Sequence, residues 1–89
     1  MKKTRPCVVL SSERQNTTLG TVIIAPLTST IREYPSRVRL NFKGKTGEVC
    51  LDQIRSIDEG RIVGESMGRI SDDNVIEEIK DVIAEMFSL

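Results

Sequence analysis

The sequence predicts a mainly β domain with a C-terminal helix, its sheet small and strongly curved or rolled into a partly open barrel of SH3-like type. Three observations lead there. Short apolar or alternating runs separated by turn residues fill the first two thirds of the chain, the hydrophobic period changes near Ser71, and 89 residues suffice for one domain only, residues 1–89. A domain this short buries a modest share of its surface, so association with a partner is a natural source of further stability.

Cys7 to Leu10 is the first apolar run and Thr21 to Ala25 the second, both continuous enough to predict strands buried on two faces. Between them Glu13 to Gly20, with Asn16, two threonines and a glycine, reads as a loop. Arg37-Val38-Arg39-Leu40-Asn41-Phe42 alternates with period two, which turns Val38, Leu40 and Phe42 to a core and Arg37, Arg39 and Asn41 to water. Lys43 to Gly47 carries two glycines and reads as a hairpin connection into a strand through Val49 and Leu51. Arg55 to Ile57 and Arg61 to Val63 flank a turn at Asp58-Glu59-Gly60. Residues 71–89 then form an amphipathic helix: Ser71 is a suitable N-cap, Asp72 and Asp73 suit the positive helix end, and Val75, Ile76, Ile79, Val82, Ile83 and Met86 recur at steps of three and four.

Composition excludes several chemistries. The chain has no histidine and only two cysteines, Cys7 and Cys50, so it lacks the ligands of a tetrahedral zinc site and any imidazole base; no metal and no cofactor is expected. Each cysteine lies in an apolar run and reads as a small buried hydrophobe. No apolar stretch reaches the length of a membrane span, and the apolar run after Met1-Lys2-Lys3 ends at Ser11, which gives a cytoplasmic address by default. The net charge of zero conceals a division: residues 1–57 carry ten bases and four acids, and residues 58–89 carry three bases and nine acids. A basic front half suits a polyanion, and solvated charge on strands explains it equally well.

Four pieces of sequence carry a more specific message. Thr4-Arg5-Pro6-Cys7-Val8-Val9-Leu10-Ser11 is an Arg-Pro step leading into an apolar strand that ends in serine; Ala25-Pro26-Leu27-Thr28-Ser29, Leu51-Asp52-Gln53-Ile54-Arg55-Ser56-Ile57-Asp58 and Gly68-Arg69-Ile70-Ser71 follow in order. Each alone is a weak signal, but in this order and spacing they resemble the MazF/PemK family of toxins, over almost the whole chain.

The resemblance implies a CcdB/PemK-type barrel, a homodimer, a cognate antitoxin partner of MazE type, and metal-free cutting of single-stranded RNA at short sequences. In that chemistry the ribose 2′-hydroxyl attacks its neighbouring phosphorus and leaves a cyclic phosphate. Arg5 and Thr28 carry over as the catalytic pair. A guanidinium matches two phosphate oxygens and stabilises charge growing on phosphorus, whereas its high pKa makes it a poor proton acceptor. Without the family pattern, Arg5 reads as a solvated arginine at a strand start and Thr28 as a turn hydroxyl capping local backbone. Ser29, Asp52 and Gln53 are supporting residues of the RNA groove by the same resemblance; for Asp52 the competing reading is an ion pair with Arg55 or Arg37. Arg32, Lys43 and Lys45 are loop cations able to track phosphates. Aromatic residues make up only 3% of the chain, so base selection falls to backbone and loop hydrogen bonds rather than to stacking.

One departure stands out. Relatives place a Gly-Asp/Glu-Ile strand and a Gly-Ser-Glu loop before the Arg-Pro step, and this chain opens at Met1-Lys2-Lys3-Thr4, which predicts an open sheet edge. Three functions are therefore expected in descending order: an RNA-cutting toxin, an inactive shortened homologue that still dimerises and binds antitoxin, and a gyrase poison of the CcdB type.

Overall fold

The computed structural model describes residues 4–89; Met1, Lys2 and Lys3, two of them counted in the basic front half, lie outside the described residues. The order of elements is β1 (Cys7–Val9), α1 (Glu13–Leu19), β2 (Thr21–Thr28), β3 (Arg37–Phe42), β4 (Lys45–Cys50), a 3-10 turn (Leu51–Gln53), β5 (Arg55–Asp58), a second 3-10 turn (Glu59–Arg61) and α2 (Asp73–Met86). Five antiparallel strands form one curled sheet in the order β1-β2-β4-β3, with β5 also paired to β2. This half-barrel closed by a C-terminal helix is the expected fold class.

β2 carries the architecture. Its first half, Thr21 to Ile24, pairs with β5, and its last two residues, Leu27 and Thr28, pair with β4. The opposite edge holds β1 through Cys7↔Pro26, Val8↔Ala25 and Val9↔Ile24. Leu10 N–H donates to Ile23 O at 2.8 Å and Leu27 N–H to Pro6 O at 3.0 Å, so the odd-numbered residues of β2 bond toward β1. Pro26, which has no N–H, consequently faces the other edge, in the gap where β2 passes from β5 to β4.

The core is built from alternate residues. Ala25, Val38, Leu40, Val49, Leu51 and Ile79 form its buried centre, with Val8, Leu10, Leu27, Phe42, Ile70, Val75, Val82 and Ile83 packed around them. β3 follows its period-two pattern, Val38 and Leu40 buried and Arg39 and Asn41 exposed. Lys43 and Gly44 alone make the β3–β4 turn, both at positive φ (51° and 79°), while Lys45 and Thr46 already pair with Phe42 and Asn41. The connection is thus shorter than the five residues expected, because a two-residue turn of this hand matches the strand twist.

Other expectations are corrected. Glu13 to Leu19 is a helix, not a loop: Ser12 Oγ accepts the Gln15 N–H at 3.2 Å, and Gly20 at φ 69° ends it with its N–H on Asn16 O. No residue of α1 is buried, so it has no apolar stripe for periodicity to detect. β1 is an edge strand with Val9 48% exposed, not a strand buried on both faces, and no strand pairs its outer edge among the described residues. Arg61 to Val63 is not a strand either, and Val63 is exposed. Asp72, not Ser71, caps α2, its Oδ1 accepting the N–H groups of Asn74 at 2.9 Å and Val75 at 3.4 Å. On the helix face Ile79 is buried, Val75, Ile76, Val82 and Ile83 are half-buried, and Met86, in the last turn of α2, is exposed. Cys50 is buried and Cys7 half-buried, both as free thiols, and burial raises the pKa of each.

β4 approaches β2 closely at Gly47, where a Cβ would stand 2.5 Å from the Thr28 carbonyl oxygen. A side chain there has to push the strands apart.

Two stability predictions follow from these contacts. Asp72→Ala should lower the unfolding free energy by about 1 kcal/mol while Ser71→Ala changes it by less than about 0.5, measured by urea denaturation. Gly47→Ala should cost about 1 to 3 kcal/mol by overpacking, whereas Gly60→Ala, with open space around its added methyl, should be nearly neutral.

Candidate functional site

Continuing the β1–β2 register past Cys7↔Pro26 sets Pro6 across from Leu27, as their hydrogen bond of 3.0 Å requires, and Arg5 across from Thr28. Directly opposed residues of an antiparallel pair project from the same face, so this extension of the register, one residue beyond the Pro6–Leu27 bond, sets Arg5 and Thr28, 23 positions apart in sequence, on one face. Pro6 is compatible with this place because the ladder needs only its carbonyl. Arg5 is exposed and Thr28 half-buried.

Thr28 Oγ1 accepts the backbone N–H of Thr30 at 3.1 Å. That bond occupies a lone pair and orients the side chain, while the hydroxyl hydrogen remains able to donate to a ligand. The local cap expected of a turn threonine is therefore present and does not use up the hydroxyl hydrogen.

On its other side Thr28 pairs with Glu48, and Glu48 in turn with Arg39, so that Thr28, Glu48 and Arg39 form a row across the sheet, with Arg5 in line only on the extended β1 register. Glu48 is only 2% exposed. Its Oε1 accepts the Arg32 N–H at 3.0 Å and its Oε2 the Glu33 N–H at 2.9 Å, which draws the β2–β3 loop, residues 29–36, over the sheet. The Arg37 guanidinium lies 3.7 Å from the same carboxylate. The Arg32 N–H holds the carboxyl below its usual pKa; burial works against this, and the Glu33 N–H and the charges of Arg37 and Arg39 reinforce it.

The remaining candidates divide. Ser29 follows Thr28 directly and is exposed; Arg32 lies in the pinned loop with an exposed side chain. Asp52 is held by Arg37 through Nε–Oδ1 at 3.1 Å and Nη2–Oδ2 at 3.4 Å, the ion-pair reading of that residue. Arg37, expected to face water, instead lies over the Tyr34 ring at 4.9 Å, and its hydrogen bond to Asp52 raises its pKa. Gln53 is exposed beside Asp52. No hydrogen bond or ion pair among the described residues ties Asp52 or Gln53 to Arg5 or Thr28. Lys43 sits over the Phe42 ring at 5.6 Å at the hairpin tip, and Lys45 precedes Glu48 by three strand residues, about 10 Å along β4, so neither joins the Arg5–Thr28 patch directly.

Glu48 and Gly47 were not legible as site-shaping residues. By alternation with Val49 and Leu51, Glu48 belongs on the solvent face; only the fold of the 29–36 loop over that face buries it.

Comparison with known proteins places this arrangement. A profile described as PemK-like, MazF-like toxin of type II toxin-antitoxin system matches residues 1–87. Among solved structures, a MazE–MazF complex from Deinococcus radiodurans is similar at 29% identity, with 96% of this chain and 83% of that chain covered and a TM-score of 0.82. A Mycobacterium tuberculosis MazF toxin is similar at 24% identity, covering 96% and 87%, with a TM-score of 0.81. An endoribonuclease in complex with its cognate antitoxin from a Mycobacterial species has 23% identity, covers 96% and 82%, and has a TM-score of 0.80; at such identities the likeness is one of fold. No curated protein sequence matches the chain. On the breadth of the profile match and the curled sheet that frames the Arg5–Thr28 patch, the chain belongs to the PemK-like, MazF-like toxins of type II toxin-antitoxin systems.

Proposed function

We propose that this chain is a metal-independent endoribonuclease that cuts single-stranded RNA, with Arg5 and Thr28 acting on the scissile phosphodiester. The observation that supports this reading is the β1–β2 register, which, continued two residues past Cys7 through the Pro6–Leu27 hydrogen bond, sets Arg5 across from Thr28. The ribose 2′-oxygen attacks phosphorus, its proton passing to solvent; the bond from phosphorus to the 5′-oxygen breaks, and a 2′,3′-cyclic phosphate remains. Arg5 stabilises the charge that grows on the non-bridging oxygens and donates a proton to the departing 5′-oxygen, regaining one from solvent to restore its cationic form. Thr28 donates its free hydroxyl hydrogen to the same phosphate. Ser29 and Arg32, on the loop that follows Thr28, hold flanking phosphates.

The regulatory partner in this reading is an antitoxin of MazE type whose acidic segment covers the exposed Arg5 and Arg32, and the working unit is a homodimer. The solved structures similar to this chain include MazE–MazF complexes, which favours that kind of partner. No helix among the described residues is long and apolar enough to cross a membrane.

The test uses the full chain and a single-stranded RNA oligomer in EDTA. Cleavage should proceed, leave a cyclic phosphate end and stop when the nucleotide 5′ to the cut is 2′-deoxy. Arg5→Ala and Thr28→Ala should each slow it by roughly 10²- to 10⁴-fold, the range for a single positioned group. RNA left intact by a folded wild-type chain that still binds antitoxin would instead identify a non-catalytic interaction module.

A further inference from the structure

We propose that Glu48 is the positioning residue of this site: its carboxylate, paired across the sheet with Thr28, clamps two successive backbone N–H groups of the β2–β3 loop and thereby fixes the loop that presents Thr28, Ser29 and Arg32 to RNA. The inference rests on the nuclease reading above and adds to it a residue that touches no substrate.

The geometry is that of an internal anion site. Glu33 has φ 57°, a left-handed conformation that costs a non-glycine residue energy unless something holds it. Two consecutive N–H groups around such a residue converge into a concave donor pair suited to an anion. Here the pair is filled by one carboxylate with one oxygen on each N–H, at 3.0 and 2.9 Å. A buried carboxylate is retained at a strand position only where its oxygens are satisfied, and among the described residues no buried side-chain polar atom lacks a partner. Exposed Arg39 pairs with Glu33 at 2.9 Å and secures the same loop from outside.

The consequence reaches Thr28 through a short path. Clamping at Arg32 and Glu33 fixes the end of the turn whose Thr30 N–H binds Thr28 Oγ1. Releasing the clamp frees that N–H to wander and the Thr28 hydroxyl to leave the orientation in which it donates to phosphate. A displacement on the order of 1 Å at a reacting group costs about a hundredfold in rate.

The experiment compares wild type, Glu48→Gln and Glu48→Ala in the full chain, with Thr46→Ala, an exposed change on the same strand, as control. Amide hydrogen exchange is read at Arg32 and Glu33, and kcat and KM are read on a single-stranded RNA oligomer. Glutamine keeps one accepting oxygen and alanine none, so the effects should be graded. Exchange at the two loop amides should accelerate at least about tenfold in Glu48→Ala and less in Glu48→Gln, with Val38 and Val49 still protected. The kcat should fall about tenfold in Glu48→Gln and about a hundredfold in Glu48→Ala, KM should rise by a smaller factor as Ser29 and Arg32 lose their fixed places, and Thr46→Ala should behave as wild type. Should Glu48→Ala not fold, the near-isosteric glutamine variant carries the test. Unchanged kcat in a variant whose loop amides exchange faster overturns the proposal, as do loop amides that keep wild-type protection. A wild-type chain that cuts no RNA overturns the nuclease reading itself, an outcome distinct from an active wild type matched by its variants.

Discussion

The bonding of β2 on both edges is the constraint from which fold and site derive together. One edge holds β1 and the other holds β5 and β4 in succession. Register in such a strand is set by burial on both faces: Val22 and Ile24 on one side and Ala25 on the other are at most 3% exposed, so a slip by one residue exchanges large and small side chains between two packed faces. A slipped β1 would also set Thr4 or Pro6, not Arg5, across from Thr28. The same apolar contacts that stabilise a chain of 89 residues thus decide which polar side chains meet. The close passage of Gly47 beneath the Thr28 carbonyl tightens this coupling, since β4 and β2 have no room for a side chain between them.

Charge is distributed less freely than a count along the chain suggests. Arg37 is committed to Asp52 and Glu48, and Arg39 to Glu33, so two bases of the front half serve structure. Exposed Arg5, Arg14, Arg32, Lys43, Lys45 and Arg55 of the front half make no ion pair among the described residues and leave their positive charge available to a polyanion. Their attraction is screened by salt, whereas the buried Glu48 clamp is not, because its bonds are short and shielded from water. In the proposed nuclease, attraction of RNA and geometry of the site therefore rest on different groups.

The legibility of the sequence followed the reach of its periodic signals. β3 was plain from its alternation and α2 from its apolar steps, since each element packs one face against the core. α1 was hidden because it buries nothing; its only marks are the Ser12 cap and Gly20, which a loop also uses. The cap of α2 was displaced by one residue because Ser71, Asp72 and Asp73 can all accept an N–H, and only the backbone path selects Asp72. Arg5 and Thr28 were singled out by resemblance, not by pattern, and no local feature announces that a strand pairing will join them. Glu48 was illegible for a plainer reason: its burial is produced by residues 29–36 crossing from another part of the chain.

The central claim is that Arg5 and Thr28 act as one unit on one phosphate. A double-mutant cycle measured by single-turnover cleavage of a single-stranded RNA tests this most directly. Cooperation at one phosphodiester predicts that Arg5→Ala/Thr28→Ala is scarcely slower than the worse single variant. Losses that multiply as independent factors would contradict it, placing the two side chains at separate tasks despite their shared register.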